Sequence, residues 1–217
     1  MGEKVTVKLE NIQKSLKGNQ VLKDISYTFE GGKIYGVYGH NGCGKTMLLR
    51  AISGLMIPND GKVMINGKEL HKGNYSFPES IGIIIEHMEL LPQYSAYDNL
   101  KILAKIKKKA KDEDIKEVLE AVGLDASSKK KVRKFSLGMK QRLNIAQAVF
   151  ENPEIIILDE PTNAIDTKGI ELIYALLRKH SEQGALIIIT SHHKEDLEEL
   201  SDITLKMDEG MIADGEE

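Results

Sequence analysis

Two kinds of hydrophobic pattern divide the chain. Apolar and polar residues alternate from Val5 to Leu9 and again from Ile25 to Phe29, which is typical of antiparallel strands with one solvated face. A further strand, Lys62 to Ile65, ends at Asn66-Gly67, a dipeptide that tolerates positive φ at both positions and favours a tight hairpin. Together these segments predict an N-terminal antiparallel β lobe.

Continuous apolar runs form the second pattern. Ile155 to Leu158 and Leu186 to Ile189 contain no polar alternation, as expected of parallel strands that are covered on both faces. Helical patterns follow these runs, one after Asp166 and one after His192. The alternation of such strands with helices predicts an α/β core with a parallel sheet.

The middle of the chain, residues 98–150, lacks strand signals and contains a predicted helix that Gly123 ends. One face of that helix is apolar and carries Ile115, Val118, Leu119 and Val122. We interpret this stretch as a helical lobe inserted into the α/β core of a single domain, residues 1–217, because this length suits one sizeable core rather than two. The tail from Asp208 to Glu217 is predicted to be a final hairpin.

The composition excludes several classes of protein. Apolar residues make up 41% and charged residues 29%, as in folded globular proteins. No apolar run approaches the roughly 20 residues that cross a bilayer, and Met1 to Glu10 lacks the apolar segment of a signal peptide. The single cysteine, Cys43, cannot form an internal disulfide. We therefore expect a cytoplasmic protein whose membrane role, if it has one, comes through a partner, and the net charge of −3 gives no general attraction to nucleic acid.

The strongest chemical signal lies at residues 39–46, which match G-x-x-x-x-G-K-T between an apolar strand, Ile34 to Tyr38, and a helical run, Met47 to Ile52. In such a loop backbone N–H groups surround phosphates, Lys45 reaches the terminal phosphates and Thr46 offers its hydroxyl to Mg²⁺. The alternative, a Gly-rich turn of another fold, is disfavoured by the flanking strand and helix. The residues expected to contact ATP are Gly39, His40, Asn41, Gly42, Cys43, Gly44, Lys45, Thr46 and Met47.

Two acids, Asp159 and Glu160, follow a buried strand at its carboxyl end, where ligands collect in open α/β sheets. Asp159 is expected to hold Mg²⁺, directly or through water, and Glu160 to orient the attacking water as general base. His192 ends the next apolar strand at the same edge of the sheet, within reach of a γ-phosphate. The alternatives are a solvated loop entry for the acids and a structural role for the histidine.

The segment Phe135–Leu143 reads F-S-L-G-M-K-Q-R-L and resembles the signature loop and helix of the ABC ATPase family. With the motifs above, this resemblance extends from Val5 to about Ile212. It implies that Ser136 and Gly138 bind the γ-phosphate held by an opposite subunit, in a homodimer or a pair of related ATPase subunits. By the same resemblance the loop Asn163–Asp166 crosses between the subunits. An ordinary helix cap at Ser136 is the alternative.

The resemblance implies an ATP-binding and ATP-hydrolysing subunit of an ABC transporter that drives a separate transmembrane permease from the inner face of the membrane. The region around Glu86 to Tyr97 is expected to contact that permease. Glu86, together with Phe135-Ser136-Leu137-Gly138, narrows the resemblance to bacterial bacitracin- or lantibiotic-type export systems. The alternative is a non-transport ABC ATPase that acts on nucleic acid or the ribosome, which the basic run Lys101 to Lys111 suits. The acids that follow the run favour a solvated helix face instead.

Four positions depart from the family pattern. Leu137 and Met139 replace a glycine and a glutamine of the signature, and Leu16 stands where the family stacks an aromatic ring on adenine. Glu86 replaces a glutamine that senses Mg²⁺; its carboxylate is expected to approach the metal while adding negative charge beside the phosphates. A regulatory subunit that binds ATP without turnover is the alternative that rests on these departures.

Overall fold

The computed structural model describes residues 4–86 and 89–213. Its strands are β1 Thr6–Leu16, β2 Asn19–Glu30, β3 Lys33–Tyr38, β4 Asp60–Ile65, β5 Lys68–Glu69, β6 Ile81–Ile84, β7 Ile155–Leu158, β8 Leu186–Ser191, β9 Ile203–Asp208 and β10 Met211–Ala213. Its helices are α1 Lys45–Ile52, α2 Ala96–Lys107, α3 Asp112–Ala121, α4 Leu137–Val149, α5 Thr167–Glu182 and α6 Glu195–Glu198, with a 3-10 turn at Val132–Lys134. None of these helices is long and apolar enough to span a bilayer.

The predicted antiparallel lobe is a four-stranded sheet in the order β2-β1-β4-β5. Val7 and Leu9 are buried while Lys8 between them is exposed, so the apolar residues of the alternating pattern lie on the face of β1 that packs against the core. The β4–β5 turn is the expected hairpin, because Asn66 (φ 50°) and Gly67 (φ 75°) both adopt the left-handed conformation.

The second sheet has six strands in the order β10-β9-β3-β8-β7-β6. Strands β9, β3, β8, β7 and β6 are parallel, and β10 adds an antiparallel edge. Every residue of β7 and β8 is buried, which explains their continuous apolar sequences. The α/β prediction is therefore confirmed. Because β3, β7 and β8 run in the same direction, the loops that follow them meet at one edge of the sheet.

The helices α2, α3 and α4 lie between β6 and β7 in the chain, where the helical lobe was predicted. Ser95 caps α2 with a reciprocal contact to Asp98, and α3 ends before Gly123, which has φ 69°. The apolar face of α3 packs into a core that the helices share with one face of the parallel sheet. The other face of that sheet packs against α1 and the antiparallel lobe.

Three sequence-based boundaries need correction. The helix predicted after His192 is one short turn, Glu195–Glu198. The final hairpin begins earlier than Asp208, because β9 starts at Ile203, and residues 214–217 lie outside the described part of the chain. The run Ile81–Ile84 is a strand paired along β7, which the hydrophobic pattern did not predict.

Candidate functional site

The glycine-rich loop lies between β3 and α1, as its sequence predicts. Gly44 stands at the N-cap of α1 with φ 110°, a conformation that favours glycine. A Cβ there would approach the Val21 carbonyl oxygen to 2.8 Å, so the loop and the β1–β2 hairpin are packed too closely for a side chain. The start of α1 thus presents its unpaired N–H groups at the carboxyl edge of the sheet.

Lys45 is buried at the centre of this loop, with 5% of its surface exposed. Its Nζ donates to the Gly39 carbonyl oxygen at 2.6 Å and to that of His40 at 3.3 Å. The same nitrogen lies 3.4 Å from Nδ1 of His192. A cation held at this point by the backbone can act on an anion in the loop without first being ordered.

Thr46 and Asp159 meet directly, because the hydroxyl of Thr46 donates to Oδ2 of Asp159 at 2.8 Å. Oδ1 of Asp159 accepts a hydrogen bond of 2.5 Å from the hydroxyl of Thr190 on β8. Hydroxyl and carboxylate oxygens are the donors that Mg²⁺ prefers, so this pair fits the ion. The described residues contain no cluster of three or more His, Cys, Asp or Glu side chains suited to a metal. Phosphate and water oxygens would complete the coordination.

Glu160 follows with its carboxylate held on both sides. Oε1 lies 2.6 Å from Nε2 of His192, and Oε2 accepts a hydrogen bond of 2.7 Å from the side-chain amide of Asn163. The backbone N–H of Glu160 donates to the Thr190 hydroxyl at 3.0 Å. The imidazole of His192 therefore contacts the other two predicted catalytic residues, Lys45 through one ring nitrogen and Glu160 through the other.

Ser136 and Gly138 lie at the start of α4, where the Ser136 hydroxyl accepts a hydrogen bond of 3.2 Å from the N–H of Met139. A Cβ on Gly138 would come within 2.6 Å of the Ala164 carbonyl oxygen, so this loop packs on the Asn163–Asp166 loop of the same chain. Within the described residues, neither Ser136 nor Gly138 hydrogen-bonds to the glycine-rich loop. Leu137 between them exposes 70% of its surface.

The remaining predicted ATP contacts surround the glycine-rich loop. Leu16 is 41% exposed at the tip of the β1–β2 hairpin, and Cys43 is 1% exposed in the core. Burial of the thiol favours a packing role for Cys43 rather than reactivity toward alkylating reagents. His40 is exposed, with Nε2 3.2 Å from a carboxylate oxygen of Asp208, and Asn41 is exposed beside it.

Glu86 has a different neighbour from the one expected. Its Oε2 pairs at 2.7 Å with Nη2 of Arg50, a residue one helical turn after Thr46 on the same face of α1. Arg50, on the helix that carries Thr46, thus offsets the charge of the Glu86 carboxylate. His87 and Met88, which follow, lie outside the described residues.

Comparisons with known proteins agree with this geometry. The profile of the ABC transporter family matches residues 22–163. A Bacillus subtilis ABC transporter ATP-binding protein, YybJ, is 57% identical over 210 residues, covering 97% of this chain and 96% of its own. The chain belongs to the ABC transporter family of ATP-binding subunits. The predicted function, an ABC ATPase that binds and hydrolyses ATP for transport, is confirmed.

A second relative and a solved structure are also similar to this chain. The bacitracin transport ATP-binding protein BcrA of Enterococcus faecalis is 36% identical, covering 96% of this chain and 70% of its own. A solved dimeric ATP-binding cassette in a post-hydrolysis state with bound ADP and Pi has a TM-score of 0.85 and 25% identity, covering 97% of this chain and 98% of its own. The narrower resemblance to bacitracin- and lantibiotic-type systems is confirmed.

The ABC fold brings one group of predicted residues together and leaves another apart. Lys45, His192 and Glu160 form one set of contacts and Thr46 and Asp159 form another. Thr190 joins the two sets through its hydrogen bonds with Glu160 and Asp159. The signature residue Gly138 instead packs on Ala164, in the loop that follows Glu160. Thr190 and Arg50 were not predicted as site residues, and Asn163 was predicted only as part of the loop that crosses between subunits. The only sequence signal for Thr190 is its place two residues before His192 on a buried strand.

Proposed function

We propose that ATP and Mg²⁺ are bound between two ATPase subunits, two copies of this chain or this chain and a relative, with each site built from both. One subunit contributes the glycine-rich loop, with Lys45 on the terminal phosphates and Leu16 beside the base. The other contributes Ser136 and Gly138, at the N-terminus of α4. The observation that carries this proposal is the separation within one chain: the signature loop has no hydrogen bond to the glycine-rich loop among the described residues.

Within each site we assign hydrolysis to Glu160. Its carboxylate accepts the proton of the attacking water, while His192 contacts the same carboxylate and orients toward the γ-phosphate. Thr46 and Asp159 would hold Mg²⁺, which offsets the charge of the phosphates when bound. Lys45, already held by backbone carbonyls, neutralises charge on the γ-phosphate without reorganising.

The ATPase pair is proposed to drive a separate transmembrane permease at the inner face of the membrane. The segment that follows β6 is the expected contact, since Leu91 and Tyr94 are 36% and 38% exposed there. Within that segment Glu86 is ion-paired to Arg50 of α1, so movement at the ATP site can reach this surface. The relatives named for bacitracin and lantibiotic transport support export, and favour transport over action on nucleic acid or the ribosome.

Specific ATPase activity should rise with protein concentration until the subunits are fully paired. A site built from two subunits works only in the dimer, whereas a site built from one chain works equally well at every dilution. Phosphate release at saturating Mg²⁺-ATP over a dilution series measures this. A specific activity that stays constant down to concentrations where sedimentation detects only monomer would overturn the proposal.

Replacing Glu86 with Gln is expected to change the Mg²⁺ dependence of ATP binding and hydrolysis. The carboxylate adds a negative charge beside α1, the helix that carries Thr46; Arg50 partly offsets that charge, and the amide removes it. We expect half-saturation at a several-fold different Mg²⁺ concentration, read by titrating Mg²⁺ in both ATP-dependent thermal stabilisation and phosphate release. Arg50→Gln, which leaves the carboxylate without its cation, should shift the Mg²⁺ midpoint in the opposite direction. If both variants keep the wild-type midpoint, Glu86 has no role at the metal site.

A further inference from the structure

The end of α2 presents five consecutive exposed residues, which we call the basic tip: Lys105, Ile106, Lys107, Lys108 and Lys109. Ile106 exposes 74% of its surface, more than any other large hydrophobic side chain in the described residues. On a solvated helix face this aliphatic side chain leaves apolar area in contact with water. The tip therefore combines a cluster of positive charge with an apolar centre.

The lysines of the tip are weakly compensated. Lys107 reaches Glu151 at 3.7 Å, while Lys105, Lys108 and Lys109 have no carboxylate within 4 Å among the described residues. Favourable interaction with the α2 dipole accounts for lysines in the last turn. It does not account for Lys109, which lies beyond the C-cap, Lys108.

The basic tip lies in a helical lobe whose net charge is opposite in sign to that of the rest of the chain. Residues 96–149 contain fourteen Lys and Arg against seven Asp and Glu, a formal charge of +7 in a chain whose total is −3. The rest of the chain is therefore strongly acidic. The helical lobe is the part of the molecule that an anionic surface would attract.

We propose that the basic tip binds the anionic phospholipid headgroups of the membrane, with Ile106 entering the boundary between headgroups and acyl chains. Lysines that flank an exposed aliphatic residue match the charge and the apolarity of that boundary. Nucleic acid fits less well, because residues 101–111 contain no aromatic side chain on which a base could stack. The proposal adds to the proposed function a lipid contact beside the permease contact. One such contact gives weak, reversible binding that supports, rather than replaces, a protein partner.

Vesicle binding tests this contact with the chain alone, so its outcome is separate from that of ATP-site pairing. The chain should sediment with phosphatidylcholine vesicles that contain phosphatidylglycerol, far less with pure phosphatidylcholine, and less as salt rises. The combined change Lys105→Gln, Lys108→Gln and Lys109→Gln should weaken binding by about 100-fold, since each lysine near an anionic surface contributes roughly fivefold. Ile106→Ser should weaken it by about tenfold at every salt concentration.

The matched control removes the same charge from the antiparallel lobe, through Lys62→Gln, Lys68→Gln and Lys72→Gln. It should bind vesicles within about twofold of the wild type, because those lysines lie on a different lobe and screening limits their reach. Equal losses in the two triple variants, or no preference for phosphatidylglycerol, would contradict the proposal. An RNA duplex that binds more tightly than the vesicles through the same three lysines would also contradict it and favour nucleic acid.

Discussion

Replacing Glu160 with Gln is expected to lower ATP turnover by about 10²- to 10⁴-fold, the contribution typical of a general base. The amide has nearly the same shape as the carboxylate but cannot accept the proton of the attacking water. ATP binding should be retained, because the phosphates are held by Lys45 and the backbone of the glycine-rich loop. Phosphate release in a single turnover, compared with ATP-dependent thermal stabilisation, separates the two effects.

The control for this change is Glu171→Gln, which removes one negative charge from an exposed position on α5. It should hydrolyse ATP at the wild-type rate. If Glu160→Gln turns over ATP as fast as the control does, the general base lies elsewhere, and the contacts of Glu160 with His192 and Asn163 are structural.

Replacing Lys45 with Ala is expected to abolish the stabilisation that ATP gives. At ATP about 100-fold above the Kd, a competent site stabilises the folded state by about 2.7 kcal/mol, and the variant should gain close to nothing. The reason is that Nζ is the buried cation of the loop, held by the carbonyls of Gly39 and His40. Thermal unfolding with and without Mg²⁺-ATP measures the gain, so a lower baseline stability of the variant does not affect the comparison.

An exposed lysine on α5, Lys179, provides the comparison for Lys45. Lys179→Ala loses the same charge far from the glycine-rich loop and should keep the full ATP-dependent gain. A Lys45→Ala variant that gains as much as Lys179→Ala would show that ATP binds without the glycine-rich loop.

Sequence patterns predicted the parts of the fold that local rules decide. The alternation in β1 and β2 and the unbroken apolar runs of β7 and β8 indicate which of their own residues are buried. The Asn66-Gly67 dipeptide likewise determines its own turn. The glycine-rich loop was predictable for the same reason, since its spacing sets its own backbone geometry. The strand at Ile81–Ile84 was missed because its identity depends on pairing with β7, which lies 74 residues further along the chain.

The sequence alone did not predict which side chains contact one another across the sheet. The sequence shows that Asp159 and Thr190 end neighbouring apolar runs, yet their hydrogen bond depends on the parallel register of β7 and β8. Likewise, Arg50 and Glu86 lie 36 residues apart, and only the packing of α1 beside β6 makes them an ion pair. Sequence reasoning therefore found the chemical groups of the site but not the residues that orient them.

Sedimentation velocity of Glu160→Gln with Mg²⁺-ATP tests most directly whether two subunits close on the nucleotide. Because the variant binds ATP without consuming it, we expect a stable dimer with ATP and a monomer without it. Adding Gly138→Val to the same chain should return it to a monomer, since the added side chain would meet the Ala164 carbonyl of its own chain and displace the loop that contacts the partner's phosphates. A Glu160→Gln chain that remains monomeric at saturating ATP would show that two subunits do not close on the nucleotide.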